Sequence, residues 1–288
     1  MTTMNAIAPS ELIVNKNGTI YHLNLRPEDI ADNIIAVGDP ERVAKVSCHF
    51  DSIEREVHKR EFITHTGFYK GKRITVISTG MGTDNIEIFM TELDALANID
   101  LETRIPKSEH KTLNIVRIGT SGGLQENVAL DSELASATGI GLDTLMCFYA
   151  FEANEQETNI GSKLQQDLGL PFRPYVAAAS SELLEKIAFD MYKGNTLTCP
   201  GFYAPQGREL RLKTAIPNLV SKYQGFDYEG FKMTNFEMET AAYYAMGRML
   251  GHNMLSLNAI VAQRVQNLFS TQAEKVIDSL IVKTLDRL

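Results

Sequence analysis

The sequence predicts an α/β fold of one domain, spanning residues 1–288, in which helices flank a largely parallel β-sheet. Several short apolar runs end in glycine-containing loops, and apolar patterns with helical spacing follow them. The 44% hydrophobic content is ordinary for a chain with a substantial core. No segment has the composition of a domain linker, so the whole chain is expected to form one unit.

The first elements along the chain are strands with tight loops, NIIAVGDPERV, RITVISTGMGTDN and LNIVRIGTSGGL. After the second of them, apolar side chains recur at helical spacing over residues 86–97, and Thr83 and Asp84 are available to cap this helix. The segment SSELLEKIAFDMYKG predicts a further helix, with an apolar face over residues 183–191 and Gly194 available to end it.

The C-terminal part continues the alternation of helix and strand. TNFEMETAAYYAMGRMLG predicts a helix that ends at Gly251, and NMLSLNAIVA predicts an apolar strand. From Ser270 onwards the helical pattern returns and reaches Leu285. Thr234 to Glu237 matches S/T-x-x-E, a capping box in which the glutamate accepts the threonine backbone N–H.

Composition and charge argue against several classes of protein. The net charge of −8, without a Lys/Arg block, makes a nucleic-acid partner or a membrane surface a poor expectation. Cys48, Cys147 and Cys199 are odd in number and lack C-x-x-C spacing, which argues against a disulfide framework or a structural zinc site. With no secretory signal and no apolar run of about 18 residues, we expect a soluble, cytoplasmic protein without a metal.

Two arginines beside the glycine loops indicate an anion site. In a parallel sheet these loops lie at the edge where the strands end, with their N–H groups facing a ligand. Arg42 follows Gly38, and Arg117 lies inside an apolar strand, where an unpaired charge is costly. Thr120 and Ser121 can complete a cradle for inorganic phosphate. The alternatives are a solvated helix position for Arg42 and a buried salt bridge for Arg117.

The segment GFYAPQGR indicates a site for a flat polar ring. Phe202 can cover a ring, Gln206 offers a donor and an acceptor, and Arg208 offers a planar fork of donors. A ring with carbonyl and N–H groups along one edge would complement these two polar groups. The alternative is an ordinary surface turn, which the glycines and proline of this segment also permit.

Seven segments in order resemble the nucleoside phosphorylase family, and within it the uridine-cleaving branch. They are YHLNL, GDPERV, HKREF, STGMG, VRIGTSGG, GFYAPQGR and NFEMET followed by IVAQR. The resemblance implies a nucleoside phosphorylase-like fold around a central mixed sheet, a homo-oligomer of at least two chains with sites shared across the interface, and reversible phosphorolysis of uridine. The implied reaction uses phosphate as co-substrate and no organic cofactor.

The resemblance also assigns roles to individual positions. It implies phosphate binding by Gly38, Arg42, Arg117 and Thr120, together with Arg60 from a neighbouring subunit. It implies ribose binding by Met238, Glu239 and a neighbouring subunit's His22. For the base it implies Phe202, Gln206, Arg208, Ile260 and Val261, with Arg264 supporting Arg208 and with Ser121 and Gly122 in the phosphate loop. The catalytic set is then Arg42, Arg117, Gln206 and Arg208.

Several other functions stay open. Purine-cleaving relatives have a serine-aspartate pair where this chain has Ala262 and Gln263, which disfavours a purine nucleoside phosphorylase or nucleosidase. Deoxyuridine and thymidine are alternative substrates, and a non-catalytic nucleoside-binding protein is an alternative of another class. A nicotinamide-dependent oxidoreductase is disfavoured because Asn85 stands at the third glycine of G-x-G-x-x-G.

Two glutamates lie close together in NFEMETAAYYA. If the segment is helical, positions 237 and 239 are about 200° apart around the axis, so their carboxylates are not expected to share one structural task. We therefore expect Glu237 to cap the helix, and the resemblance implies that Glu239 accepts hydrogen bonds from ribose hydroxyls. Neither carboxylate is expected to transfer a proton.

Overall fold

The computed structural model describes residues 5–288, which form seven α-helices and thirteen β-strands. The helices are α1 (Glu41–Ser47), α2 (Thr83–Asn98), α3 (Glu155–Leu168), α4 (Ser181–Ile187), α5 (Leu219–Gly225), α6 (Thr240–Leu250) and α7 (Ala273–Arg287). The strands are β1 (Asn33–Val37), β2 (Ser52–Lys59), β3 (Phe62–Tyr69), β4 (Lys72–Ser78), β5 (Ile99–Asp100), β6 (Ile105–Pro106), β7 (Asn114–Gly123), β8 (Glu133–Gly141), β9 (Tyr175–Ala178), β10 (Tyr192–Thr198), β11 (Asn235–Glu237), β12 (Asn253–Gln263) and β13 (Leu268–Phe269). Within this part of the chain, no helix is long and apolar enough to cross a bilayer.

One large mixed sheet organises the fold. Its order is β13-β12-β8-β10-β11-β7-β1-β4-β3-β2, with β9 added to β8. Because β12 also pairs with β7, the strands β12, β8, β10, β11 and β7 close into a ring. Five of its strand pairs are parallel and six antiparallel, so the sheet is mixed, as predicted, with a smaller parallel share than expected.

Helices cover both faces of the parallel strands. In β1, Ile34 and Ala36 pack in a core with α2 and α6, whereas Ile35 and Val37 pack in a second core with α1, α4 and α7. Side chains alternate across a strand, so a strand covered on both faces reads as a continuous apolar run. This arrangement explains the NIIAV pattern and confirms the α/β class.

The helix that follows the GMG loop is confirmed, but its cap differs from the prediction. Gly82 occupies the N-cap position of α2 with φ of 97°, a conformation that favours glycine. Thr83 is therefore already the first helical residue, and Asp84 the second. Gly82 has no side chain that could cap this end, and the carboxylate of Glu239 instead accepts the Gly82 backbone N–H at 2.9 Å.

Three predicted boundaries are wrong. The helix expected from Thr234 begins at Thr240, because Asn235–Glu237 forms β11. Helix α4 ends at Ile187, and Gly194 lies inside β10, where a Cβ would be 2.3 Å from Oγ1 of Thr234. Met191 follows the helix yet joins the same core as Ile187, so the apolar pattern identified burial correctly and helix length incorrectly. The segment GTSGG is also part of β7, which continues to Gly123.

Candidate active site

A cavity of about 440 Å³ opens where the strands end at one edge of the sheet. Residues that follow β1 and β4, the second half of β7 and the ends of β11 and β12 line it, as expected for an α/β fold. Thirteen residues assigned from the sequence contribute to its wall, namely Gly38, Arg42, Arg117, Thr120, Ser121, Gly122, Phe202, Gln206, Arg208, Glu237, Met238, Glu239 and Val261. His22, Arg60, Ile260 and Arg264 do not line it.

Arg117 is the buried centre of the polar wall. Its Nη2 is 2.6 Å from Oε2 of Glu239 and 3.0 Å from Oε2 of Glu237. Its Nη1 donates to Oγ of Ser256 and to Oδ1 of Asn258. Burial opposes the charge, but the two carboxylates outweigh it and raise the pKa of Arg117. The buried salt bridge and the cavity position, considered as alternatives from the sequence, are therefore both present.

The expected capping box at Glu237 is wrong. Thr234 precedes a strand rather than a helix, and its hydroxyl donates to the carbonyl of Asn195. The Glu237 carboxylate instead accepts the backbone N–H groups of Glu239 at 2.8 Å and Thr240 at 2.9 Å, so it caps the start of α6 from the preceding strand.

The two carboxylates also share a task, contrary to the expectation from helical geometry. Glu237 ends β11 and Glu239 has φ of −138° at the N-cap of α6, so the 200° separation of a helix does not apply. Both side chains reach the same guanidinium group of Arg117.

Glu239 joins three elements at the cavity wall. Its Oε1 accepts the Gly82 N–H at the start of α2, and its Oε2 accepts from Arg117 on β7. Burial raises the pKa of Glu239; Arg117 opposes this shift, and the neighbouring Glu237 adds to it. A carboxylate has about four lone-pair positions, so about two remain for donors such as sugar hydroxyls.

Arg42 brings a second cation to the same wall. Its Nη1 donates to the carbonyl of Ile118 at 3.3 Å, and in residues 5–288 no carboxylate lies within ion-pair distance of its guanidinium group. Burial lowers its pKa; Asp39 opposes this shift, and Arg117 adds to it. Gly38 lines the same cavity. A Cβ added to Gly38 would lie 3.4 Å from the carbonyl oxygen of Gly80.

The segment GFYAPQGR forms the other polar wall. The guanidinium carbon of Arg208 lies 3.8 Å from the centre of the Phe202 ring, and its Nη1 donates to the carbonyl of Phe202 and to Oε1 of Gln206. Burial, with the nearby charge of Arg264, lowers the pKa of Arg208 to about 10, so it stays protonated at neutral pH. Gly207 has φ of 68° and turns the chain between the two polar residues.

Arg264 supports this wall from behind. Its Nη1 donates to the backbone carbonyl of Gln206 at 3.1 Å, and its guanidinium carbon is 5.4 Å from the centre of the Phe236 ring. It therefore contacts the backbone that carries Gln206, and no hydrogen bond joins it to the Arg208 side chain within residues 5–288.

Of the two predicted apolar base contacts, only Val261 lines the cavity. Ile260 is fully buried with Val128 and Leu134, so its assignment to the base pocket is wrong. Successive side chains of a strand point to opposite faces, and β12 is irregular in register between Ile260 and Ala262. The Gln263 amide also points away from the cavity, since its Nε2 donates to the carbonyls of Gln125 and Val128.

Arg60, which is exposed, and His22, which is half-buried, lie outside the cavity. Nδ1 of His22 is 2.7 Å from Oε1 of Glu92, and the Glu92 carboxylate also accepts the backbone N–H of His22. The Arg60 guanidinium carbon is 5.9 Å from the centre of the Tyr21 ring, next in sequence to His22. Both residues therefore lie close together on the surface of this chain.

Several cavity residues have no role in the sequence interpretation. Glu61, Met81, Phe236 and Phe269 line the cavity, and the Phe269 side chain is 72% exposed at its rim. Phe269 reaches this position because β13 pairs with the end of β12, opposite Ala262. A short apolar pair after the polar segment QN is the only sequence signal for this hairpin.

One group with metal-ligating side chains lies elsewhere in residues 5–288, and its chemistry does not suit a cation. It contains Asp94, His110 and His252. Nδ1 of His252 accepts the Leu113 N–H, which places the ring proton on Nε2, 3.2 Å from Oδ1 of Asp94. A metal at Nε2 would need that proton removed and the other nitrogen turned into a donor.

Comparison with known proteins identifies the family. The family model described as the phosphorylase superfamily matches residues 33–283. A uridine phosphorylase from Thermococcus kodakarensis is 29% identical over 266 residues, covering 90% of this chain and 83% of that protein. A DeoD-type purine nucleoside phosphorylase from Alkaliphilus metalliredigens is 27% identical over 237 residues, with 82% and 84% coverage.

A solved structure agrees with this match. The Trypanosoma brucei nucleoside phosphorylase, which has uridine phosphorylase activity, superposes with a TM-score of 0.86 at 30% identity, covering 96% of this chain and all of that one. The chain therefore belongs to the phosphorylase superfamily, as a pentosyltransferase of the nucleoside phosphorylase type.

Proposed function

We propose that this enzyme catalyses the reversible phosphorolysis of uridine to uracil and ribose 1-phosphate. The observation that carries the proposal is the wall where Arg208 stacks on Phe202 and hydrogen-bonds to Gln206. A flat ring that enters the cavity there meets an aromatic side chain, an amide and a guanidinium group. Phosphate is the co-substrate, and the proposal needs no organic cofactor.

The polar edge of uracil matches this wall. The Gln206 amide offers a donor and an acceptor, which suit the O2 carbonyl and the N3–H of the base. Only Nη1 of Arg208 is engaged within residues 5–288, so Nη2 and Nε are available to the O4 carbonyl. Val261 supplies an apolar contact for the ring.

A purine base has less support. Cleavage of a purine nucleoside is helped by an acid that protonates the base, and the position where purine-cleaving relatives carry that acid is Gln263 here. Its side chain is hydrogen-bonded to backbone carbonyls behind the cavity, and its neighbour Ala262 has no polar group. Deoxyuridine and thymidine, which present the same base edge, are tested beside uridine.

The carboxylate of Glu239 is the proposed ribose anchor. It is buried, lines the cavity and has lone-pair positions left after binding Gly82 and Arg117. Two adjacent sugar hydroxyls can donate to it, and Met238 offers an apolar surface to the sugar. We propose that a neighbouring subunit's His22 contacts the 5′-hydroxyl.

Phosphate is assigned to the wall formed by Gly38, Arg42, Arg117 and Thr120. Near neutral pH a phosphate group carries between about one and two negative charges. The charge of Arg117 is already matched by two carboxylates, which leaves Arg42 as the cation without a carboxylate partner in residues 5–288. The single positive charge of Arg42 does not fully balance the charge of a phosphate dianion. This difference in charge supports a further arginine from outside the chain.

We assign that arginine to Arg60 of a neighbouring subunit. Arg60 and His22 are neighbours on the surface of one chain and both lie outside its own cavity. Delivery of both side chains to another chain's cavity explains their proximity and requires a homo-oligomer of at least two chains. Within each oligomer, residues 1–288 are proposed to act as one catalytic domain.

The reaction then requires charge stabilisation and no proton transfer by either glutamate. The bond between ribose C1′ and uracil N1 breaks with both electrons going to the base, and a phosphate oxygen forms a bond to C1′ from the opposite face. Arg208 and Gln206 stabilise the departing uracil anion, while Arg42 and Arg117 orient the phosphate. Water protonates uracil after release.

Parallel incubations test this function. The protein is incubated with uridine, deoxyuridine, thymidine or inosine, with and without phosphate, and free base is measured by chromatography. We expect uracil from uridine only when phosphate is present. Inosine cleavage in preference to uridine would indicate a purine enzyme, cleavage without phosphate a hydrolase, and binding without cleavage a nucleoside-binding protein; each of these results contradicts the proposal.

A further inference from the structure

Beneath Arg117 lies a set of buried neutral polar side chains that none of the catalytic steps above uses. Asn258 and Ser256 on β12 accept from Nη1 of Arg117 at 3.0 Å and 3.2 Å. Nδ2 of Asn258 donates to Oγ of Ser136 on β8 at 3.0 Å. All three polar side chains are fully buried.

The network leads back to the cavity by a second route. Ser136 and Thr196 share a hydrogen bond, and Thr196 donates to Oδ1 of Asn235. Nδ2 of Asn235 donates to Oγ of Ser121, which lines the cavity. Arg117 and Ser121 are therefore connected through Asn258 and three further buried side chains inside the ring of strands.

The side-chain amide of Asn258 cannot flip without losing its hydrogen bonds to Arg117 and Ser136. Its amide oxygen faces the Arg117 guanidinium, and its amide nitrogen faces Ser136. The oxygen is neutral, so it fixes Nη1 without adding a further negative charge beside Arg117. An aspartate at this position would add a third carboxylate to a cation that already pairs with Glu237 and Glu239.

Most N–H donors of the Arg117 guanidinium are already engaged within the protein. Nη1 of Arg117 binds the two β12 side chains, and Nη2 faces the two carboxylates. Of the five N–H groups of a guanidinium, Nε–H alone has no partner within residues 5–288. The orientation of the whole group therefore decides whether that donor reaches an anion.

We propose that Asn258 is a positioning residue for Arg117, which it holds in the orientation that presents Nε–H to the phosphate co-substrate. The inference rests on the proposed phosphate role of Arg117. Without Asn258, one Nη1 hydrogen loses its partner, and the guanidinium is free to turn towards the two carboxylates.

The test compares Asn258→Ala and Asn258→Asp with Asn253→Ala. Asn253 is a matched control because it lies on the same strand and hydrogen-bonds Asn114 and Glu182, away from Arg117. Steady-state kinetics give the KM for phosphate and the KM for uridine, and the rise in Tm caused by inorganic phosphate reports binding independently of turnover.

We expect Asn258→Ala to raise the KM for phosphate about tenfold or more, which is about 1.4 kcal/mol, with a smaller change in the KM for uridine. Asn258→Asp preserves shape, and the ratio of its phosphate KM to that of the wild type is expected to be greater at pH 8 than at pH 6, because ionisation adds the third carboxylate. Asn253→Ala is expected to lower Tm without changing either KM.

The outcomes separate the two proposals. Wild-type protein that binds phosphate but releases no uracil refutes the uridine function, and the phosphate-induced Tm rise still tests Asn258. Active wild-type protein with folded Asn258 variants whose phosphate KM stays within about twofold of wild type overturns the positioning role. If Asn258→Ala does not fold, the test rests on Asn258→Asp. A phosphate KM for Asn258→Asp that equals the wild-type KM at both pH 6 and pH 8 would then contradict the positioning role.

Discussion

Removal of Arg208 is expected to slow uridine cleavage while leaving phosphate binding intact. The Arg208 guanidinium is held from two sides, with its carbon 3.8 Å from the centre of the Phe202 ring and its Nη1 2.6 Å from the Phe202 carbonyl and 2.5 Å from Oε1 of Gln206. The side chain is therefore fixed before a substrate arrives. In Arg208→Ala the departing uracil loses a cationic donor, and Gln206 loses the bond that orients its amide.

The magnitude follows from the loss of one preorganised donor. Removing a single oxyanion-stabilising group typically costs about 10²–10³ in kcat, or about 2.7–4 kcal/mol. Arg208 is charged and partly buried, so we expect a loss within or above this range for kcat/KM with uridine. The KM for phosphate is expected to change less than about threefold, because the phosphate wall is built from other strands.

The assay is uracil release at saturating phosphate over a range of uridine concentrations. Arg211→Ala is the matched control, since Arg211 is an exposed arginine of the next segment that does not line the cavity. Arg208→Lys keeps the charge but not the planar fork, and an intermediate rate is expected. A kcat/KM for Arg208→Ala within about threefold of wild type would refute the assignment.

Three further predictions concern the phosphate and ribose walls. Burial raises the pKa of Glu239, so it takes up a proton at a higher pH than an ordinary glutamate; kcat/KM for uridine should fall on acidification through this raised pKa, and Glu239→Gln should lose this limb. In Gly119→Ala a Cβ would lie 2.2 Å from Nη1 of Arg117, so phosphate-dependent turnover should fall about 100-fold. Arg60→Ala and Arg208→Ala chains should each be nearly inactive, yet an equimolar mixture that pairs at random should regain about one quarter of wild-type activity, because about half of its dimers are mixed and each of these has one intact site of two.

Each of these experiments has a control and a contradicting result. Gly225→Ala places its methyl group in open space and should leave turnover unchanged, whereas equal activity of Gly119→Ala and Gly225→Ala would refute the steric argument. An acid limb at the ordinary glutamate pKa in a pH–rate profile would contradict the assigned environment of Glu239. Mixed chains no more active than either parent would contradict sites shared between subunits.

The pattern of apolar runs and glycine loops was sufficient to predict the class of fold. Parallel strands covered on both faces leave a continuous apolar signal, and β1, β4 and β7 all have it. Boundaries were harder to predict because tertiary contacts decide them. Gly194 resembles a helix end in the sequence but allows close approach of β10 to Thr234, a contact 40 residues away along the chain.

The position of the site could also be predicted, because strand ends meet at one edge of an α/β sheet. The ion pairs inside the site could not be predicted from the sequence. Thr234 to Glu237 has the sequence of a capping box, and only the pairing of β11 with β10 and β7 turns Glu237 towards Arg117. Whether a buried arginine meets a carboxylate or a ligand depends on such long-range pairings.

The assignment of Ile260 to the base pocket conflicts with regular strand geometry. Ile260 and Val261 are consecutive in an apolar strand, and successive side chains of a regular strand point to opposite faces. β12 is irregular in register between Ile260 and Ala262, yet Ile260 is buried with Val128 and Leu134 and Val261 alone of the two lines the cavity. Glu61, in contrast, carries no local signal, and Phe269 has only the short apolar pair after QN, because strand pairing brings both residues to the cavity.

Identification of the sugar product tests the central claim most directly. Uridine and phosphate are incubated with the protein, and the products are followed by phosphorus NMR together with chromatography for uracil. We expect ribose 1-phosphate and uracil in equal amounts, and neither product when phosphate is omitted. Free ribose in place of ribose 1-phosphate, or uracil release that ignores phosphate, would contradict it.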